Sequence, residues 1–157
     1  MFTSALFSIP SPWGAFCLQC EGDIVTALTI PRGGTPALSA PTAFSRLVEE
    51  ELSAYLSARR RDFDIPLAPR GTSFQKAVWD LVREIPYGET RTYGEIAQAL
   101  GRPKAVRAVA GAIGRNPIWI LIPCHRIIGA DGGLHGYAGG LAMKEALLSL
   151  EQGESIP

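Results

Sequence analysis

The sequence predicts an α/β (α+β) chain in two parts, a small strand-and-helix unit followed by a mainly helical one. Three observations predict it. Two β-prone segments crowd into residues 15–30, capping-box signatures recur at Thr72/Gln75 and Thr92/Glu95, and the Pro-bearing stretch Asp62 to Arg70 separates the two textures. With 46% apolar residues and 15 basic against 15 acidic side chains in 157 residues, the chain is globular rather than disordered. The same balance excludes a strongly basic nucleic-acid coat protein or an acidic tail.

Met1 to Phe16 lacks the cationic start of an export signal, and Ser8, Pro10 and Pro12 interrupt its apolar residues. No run approaches the ~18 apolar residues of a membrane span. Three cysteines, Cys17, Cys20 and Cys124, are an odd number and suggest no disulfide framework. A cytoplasmic protein with free thiols and no membrane attachment is therefore expected. Ala15 to Cys20 and Ile24 to Ile30 read as strands of a hairpin around Glu21-Gly22-Asp23. After the Gly- and Pro-bearing loop Pro31 to Pro41, Thr42 can cap a helix whose Phe44, Leu47, Val48, Leu52, Tyr55 and Leu56 keep helical spacing and require a sheet to cover. Arg59-Arg60-Arg61 closes it, a helix end favoured by the macrodipole rather than a DNA patch. The boundary follows, giving domains 1–68 and 69–157.

In the second part, a helix from Thr72 runs to about Glu84, stopped before Pro86 and Gly88. A short one spans Tyr93 to Leu100. After Gly101 a third begins with Pro103 in its first turn and reaches about Ile113, completing a helix-turn-helix outline. On this third helix Val106, Val109 and Ile113 share a core face, while Arg107, Ala110, Gly111 and Gly114 share another. A face of tiny residues around one arginine permits close approach to a partner, and equally permits packing on another helix of the same chain.

Ile118-Trp119-Ile120-Leu121-Ile122 reads as a buried strand that delivers Pro123-Cys124-His125-Arg126. Cysteine is nucleophilic as thiolate, and a neighbouring histidine and arginine can lower its pKa or take its proton. Adjacent side chains on an extended segment diverge, so a bridging water rather than a direct Cys124–His125 hydrogen bond is expected. A structural buried cysteine beside a satisfied histidine remains open on these residues alone.

From Gly71 to Glu151, about half the chain, the segments GTSFQKAVW, IPYGETRTYGEIA, GRPKAVRAVAGAIGRNP, PCHRIIG and GYAGGLAMKEALLSLE occur in an order and spacing that resemble the C-terminal domain of the O6-alkylguanine-DNA alkyltransferases. SPWGAFCLQCEGDIVTAL and DFDIPL resemble that family's N-terminal α/β domain. The resemblance implies a ribonuclease-H-like N-terminal domain before a helix-turn-helix, winged-helix-like domain. It also implies single-turnover transfer of an alkyl group from O6-alkylguanine, with O4-alkylthymine as a further substrate, to Cys124.

By the same resemblance His125 removes the thiol proton through a water, Glu151 fixes the imidazole tautomer, and Asn116 organises the junction between reading helix and active-site strand. Tyr93 protonates the departing base and Lys144 supports the site. Tyr137, Ala138, Gly139, Trp119 and Ile113 form the substrate pocket. The implied partner is double-stranded DNA, entered through the minor groove with base flipping. Arg107 fills the vacated space, Ala110 and Gly111 fit a groove about 6 Å wide, and Lys104 and Arg115 add cationic contacts. A monomer is expected.

Trp119 stands where many relatives have a small residue or proline, which predicts discrimination against bulky O6 groups. Ala138 stands where some have serine, and Val106 replaces a usual alanine. Some relatives bind structural zinc, but Cys17 and Cys20 alternate on a strand and the only histidines, His125 and His135, lie in the other half. No metal or other cofactor is expected, and His135 reads as an exposed loop residue. The rival reading, a non-catalytic sensor of the alkyltransferase-like type, is opposed by Cys124 itself; a Cys-His hydrolase or helix-turn-helix regulator leaves Tyr93, Arg107 and Glu151 unexplained together. Between Glu95 and Asp131 no acid occurs while Arg102, Lys104, Arg107, Arg115 and Arg126 do, so overall neutrality hides a cationic segment that suggests modest, salt-sensitive DNA affinity.

Overall fold

Strand alternation sets up the first layer. In the computed structural model, which describes residues 4–33 and 36–155, Ser4–Ile9 (β1), Phe16–Glu21 (β2) and Ile24–Thr29 (β3) form an antiparallel sheet in the order β1-β2-β3. Residues 1–3 of the N-terminal stretch and 34–35 of the loop before the first helix lie outside the described residues. Sequence reading found the β2–β3 hairpin and missed β1, whose Phe7 and Ile9 alternate into the core. Gly22, at φ 60°, supplies the left-handed residue that the two-residue hairpin turn requires.

Helix α1, Ala43–Leu56, starts where Thr42 accepts a hydrogen bond from the Ser45 amide while Ser45 reciprocates to the Thr42 amide. Its Val48, Leu52 and Tyr55 bury into the same core as Phe16, Leu18 and Leu28. At about 1.5–3 kcal/mol per fully buried large apolar side chain, that stripe rather than the caps anchors the helix.

The edge of β3 is not left open. The Val25 N–H donates to the Pro66 carbonyl at 3.0 Å and the Ala68 N–H to the Val25 carbonyl at 2.8 Å. Further along, Leu28 N–H donates to Pro117 at 2.9 Å and Trp119 N–H to Leu28 at 2.9 Å. Two segments, one on each side of the helical unit's start, therefore cap the sheet and tie residues 117–119 to it.

Helices α2, Ser73–Arg83, and α3, Tyr93–Ala99, start at Thr72 and Thr92 with both capping boxes formed. Helix α4 spans Val106–Gly114 and α5 spans Leu141–Glu151; β4, Arg91–Thr92, pairs in parallel with β5, Ile127–Ile128. Trp79 of α2 donates through Nε1 to the Ala112 carbonyl of α4 at 2.9 Å, fixing the two helices. Among the described residues no helix is long and apolar enough to cross a membrane.

Three expectations are corrected. Pro103 precedes α4: it occupies a turn closed by Ala105 N–H to the Arg102 carbonyl at 2.9 Å, where proline's fixed φ suits the second position. Val106 is 38% exposed, because the core stripe is Val109, Ala112 and Ile113 and the first turn of α4 overhangs it. Residues 118–122 are buried but do not form a strand. Ile120 adopts φ 71°, and the chain coils so that Leu121 N–H bonds Trp119 and Ile122 N–H bonds Ile118. A β-branched residue at that φ is strained, and burial all round is what can hold it there.

Candidate active site

The coil at 118–122 is strapped by Asn116, 4% exposed, whose amide donates to the Ile122 carbonyl at 2.9 Å and accepts from Ile118 N–H at 2.9 Å. It hands the chain into a short 3-10 turn, Cys124–Arg126, rather than an extended strand. Cys124 is 1% exposed. Burial pushes its thiol up to about 12, against the opposing pull of the Asn116 amide and the Lys144 charge. Neither His125 nor Arg126 acts to lower this pKa, since Nε2 of His125 and two nitrogens of the Arg126 guanidinium are committed to Glu151; of the two roles expected for His125, taking the proton is the one its geometry leaves open.

Glu151, at the end of α5, gathers five donors. Arg126 meets it as a fork, Nε to Oε1 at 2.8 Å and Nη2 to Oε2 at 2.9 Å; Gly88 N–H reaches Oε1 at 3.1 Å; His125 Nε2 and Tyr55 Oη reach Oε2 at 2.7 and 2.5 Å. Burial alone raises a carboxyl's pKa, but the hydrogen bonds from His125, Arg126 and Tyr55 outweigh it and hold Glu151 well below the usual range. An ionised carboxylate only accepts, so the imidazole proton on this side sits on Nε2. Nδ1 is then a bare acceptor, buried and without a partner. Burial lowers the His125 pKa, Arg126 and Lys144 lower it further, and Glu151 opposes them without reversing the direction. The result is a neutral, oriented imidazole beside a protonated thiol.

Around this pair, Tyr93 at the start of α3 donates to the His135 carbonyl at 2.9 Å, and the wholly buried Lys144 donates to the same carbonyl at 3.0 Å and to Gly136 at 3.3 Å. Burial raises the Tyr93 pKa, with the Cys124 charge adding to it, and burial lowers that of Lys144. His135 is exposed through its imidazole, as expected, yet its carbonyl ties α3 and α5 to one loop.

Tyr137, Ala138, Gly139 and Trp119 come together on a cavity of about 290 Å³, which Trp13 and Arg32 close from the N-terminal half. The Tyr137 hydroxyl is buried without a partner. A Cβ at Gly139 would stand 2.6 Å from Met143 Sδ and 3.0 Å from the Tyr137 ring, so a side chain there would have to displace the Met143 thioether. Ile113 is buried under α4 and does not line that cavity.

On the outer side of α4, Arg107, Ala110, Gly111 and Gly114 are exposed, with Lys104 and Arg115 exposed at its two ends. A Cβ at Gly111 or Gly114 would meet nothing within 4 Å. The small face therefore packs on no other described helix. Among the described residues no group of three or more His, Cys, Asp or Glu is placed to hold a metal ion.

Residues 73–153 match the family described as 6-O-methylguanine DNA methyltransferase, DNA binding domain. The chain belongs to that methyltransferase family. A methylated-DNA–protein-cysteine methyltransferase of Methanosarcina acetivorans is 59% identical over 108 residues, covering 69% of each chain. The namesake of Mycobacterium tuberculosis is 47% identical over 150 residues, covering 92% of this chain and 90% of its own. The crystal structure of Mycobacterium tuberculosis OGT in complex with DNA superposes with a TM-score of 0.87 at 45% identity, over 94% of this chain and 92% of that one.

Within this methyltransferase, two members of the buried cluster escaped sequence reading. Arg126 was visible in the PCHR segment, but only geometry shows that it serves the carboxylate rather than the thiol. Tyr55 carried only a core signal, helical spacing on α1; its hydroxyl partner lies 96 residues away.

Proposed function

We propose that this methyltransferase performs direct-reversal DNA repair by moving an alkyl group from O6-alkylguanine in duplex DNA onto its own Cys124. The observation that carries the residue assignment is the unpartnered, buried Nδ1 of His125, aligned by Glu151 and next in chain to a buried thiol. Nδ1 accepts the Cys124 proton through a water. Sγ attacks the alkyl carbon in line, the S–C bond forms as C–O6 breaks, and the bond pair stays with the base, which Tyr93 protonates. The imidazolium left at His125 gives its proton through water to the Tyr93 phenolate, so both groups return to their starting state and alkyl and hydrogen have been exchanged between base and sulfur. A thioether is no leaving group, and each molecule acts once.

The target atom lies inside the duplex, so the nucleotide is rotated out into the cavity beside Tyr137, with Ala138 and Gly139 facing the base edge. The exposed small face of α4 supports minor-groove entry. Arg107 fills the vacated stack, Ala110 and Gly111 admit the backbone, and Lys104 and Arg115 meet phosphates. Asn116 keeps the 116–122 coil in register and Lys144 holds the 135–136 carbonyls. A monomer in the cytoplasm, built from domains 1–68 and 69–157, suits this chemistry. Three antiparallel strands followed by a helix support a ribonuclease-H-like reading of the first domain, and the helix-turn-helix outline a winged-helix-like second.

Intact mass tests the assignment. After incubation with duplex DNA containing O6-methylguanine, the wild type gains one methylene equivalent and Cys124→Ser gains none. An unchanged mass accompanied by tight lesion binding would refute transfer in favour of a sensor.

A further inference from the structure

One carboxylate oxygen is the meeting point of three elements. Glu151 Oε2 accepts from Tyr55 of α1 at 2.5 Å, from His125 Nε2 at 2.7 Å and from Arg126 Nη2 at 2.9 Å. A carboxylate oxygen offers about two in-plane lone-pair directions, so three donors on one atom compete for the same charge. The Tyr55 ring is fully buried, packed at 5.2 Å between centroids from Phe63 and 6.0 Å from Tyr87, and a phenylalanine would fill that space equally well. Core packing therefore explains the ring and leaves the hydroxyl unexplained. That hydroxyl lies 3.4 Å from His125 Nε2, beside the hydrogen bond that orients the imidazole.

We propose that Tyr55 is a positioning residue for alkyl transfer: its hydroxyl draws charge from the Glu151 oxygen facing His125 and so limits how strongly the imidazole holds the proton taken from Cys124. The proposal rests on the reading of Cys124 as acceptor and His125 as its base. It also makes the N-terminal half part of the reaction, since α1 belongs to that half while every other group of the network lies beyond residue 84.

The charges around His125 fix the sign. Glu151 and Lys144 face it from α5, Arg126 and Cys124 from its own turn, and Tyr55 from α1. Behind Tyr55 stands Tyr87, with the Arg61 and Arg126 guanidinium groups over its ring at 5.2 and 5.7 Å. Only Glu151 favours the imidazolium; burial, Arg126 and Lys144 oppose it. Burial first, and then the Glu151 charge, raise the Tyr55 pKa, so the phenol stays a donor at every working pH. Removing that donor returns charge to Oε2, which strengthens the one interaction that favours imidazolium. His125 then protonates at higher pH and loses its free Nδ1 while the wild type still has it.

The test is Tyr55→Phe in the full chain, with single-turnover transfer from O6-methylguanine duplex followed from about pH 5 to about pH 9. The acid-side midpoint is expected to rise by roughly 0.5–1 pH unit. The NMR titration of the His125 imidazole in the DNA-free protein should move the same way while His135 does not. Replacing Tyr55 with a more acidic, fluorinated tyrosine should move both midpoints down, a measurement that survives if the phenylalanine variant fails to fold. In a Glu151→Gln background Tyr55→Phe should no longer move the His125 titration. Rates lowered by the same factor at every pH, with the His125 midpoint unmoved, would overturn the proposal and leave Tyr55 a packing residue. Failure of the acceptor assignment reads differently: wild-type Cys124 would then gain no alkyl group at any pH.

Discussion

Arg126→Met isolates what the Arg126–Glu151 fork contributes. Arg126 is 6% exposed and Glu151 7%, and the guanidinium donates twice to Glu151 and once to the Ile85 carbonyl at 2.7 Å. Methionine fills much of the volume but leaves a buried carboxylate with three of its five donors and a backbone carbonyl without its guanidinium donor. Removing one partner of a buried ion pair costs about 3–5 kcal/mol, and the surviving bonds from His125, Tyr55 and Gly88 place this case near about 3 kcal/mol. At about 2–4 °C per kcal/mol for a chain of this size, the melting temperature should fall by about 6–12 °C.

The pH dependence has a definite sign. In the wild type Glu151 is held below its ordinary pKa, so its contribution is full above about pH 4.3 and is lost as pH falls toward the folded value. His125 is also held below its ordinary value, so the unfolded chain gains protons first and stability falls as pH drops below about 6.5. Arg126 contributes to both depressions. Without it both groups return toward their ordinary values, and the variant has less to lose on acidification. Urea denaturation followed by tryptophan fluorescence at pH 7, 5.5 and 4 should show the gap between the two proteins narrowing as pH falls. A loss below about 1 kcal/mol at pH 7, or a gap independent of pH, would refute this account of the network.

Two further outcomes follow from the cavity and from α4. Trp119, 9% exposed and packed 6.3 Å from Phe16 and 6.4 Å from Tyr137 between ring centroids, narrows the cavity; Trp119→Ala should raise the rate on O6-benzylguanine DNA relative to O6-methylguanine DNA while costing about 3–5 kcal/mol of stability. An unchanged rate ratio between the two substrates would remove Trp119 from substrate selection. Gly111→Ala should stabilise the chain by up to about 1 kcal/mol in urea, because its Cβ would point into open space, whereas Gly111→Leu should keep the fold and weaken duplex binding in a titration. Equal affinity for Gly111→Leu and wild type would refute close backbone approach along this face.

Much of the helical unit was legible because its signals are local. Thr72 and Thr92 accept the hydrogen bonds that their capping spacing requires, and Thr42 starts α1 where the apolar spacing begins. What escaped depends on distant partners. β1 is a strand because β2 pairs with it from Phe16 to Glu21, and its own six residues carry only a brief alternation between Met1 and two prolines. The run at 118–122 is apolar enough for a strand, but composition cannot report that Ile120 turns at φ 71° and that, among the described residues, the run meets the sheet at a single bridge, Leu28 to Ile118. Cys124, His125 and Glu151 were legible through their motifs. The Tyr55 hydroxyl was not, since helical spacing dictates a ring on that face and says nothing about what its oxygen meets.

The resting state of Cys124 fits the proposed role of a nucleophile used once. A thiolate exposed to solvent reacts with oxidants and adventitious electrophiles, and oxidation beyond the sulfenic acid is irreversible for most proteins. Here burial keeps the sulfur protonated, with its pKa raised to about 12, and withholds reactivity until the proton is removed in place. The proposed base that removes it is a neutral imidazole whose Nε2 is committed to Glu151 and whose Nδ1 has no partner. In the proposed reaction a bridging water and the flipped base complete the circuit, so thiol ionisation and substrate entry coincide. The five-donor cage around Glu151 then meets two opposed demands of that reaction. It holds the imidazole in one tautomer, and it spreads the carboxylate charge over Arg126, Gly88 and Tyr55 so that the imidazole stays unprotonated until the thiol supplies its proton. On the proposed reading, a simple His–Glu pair would orient the base equally well but would favour imidazolium at rest, and the additional donors serve the chemistry as well as the core.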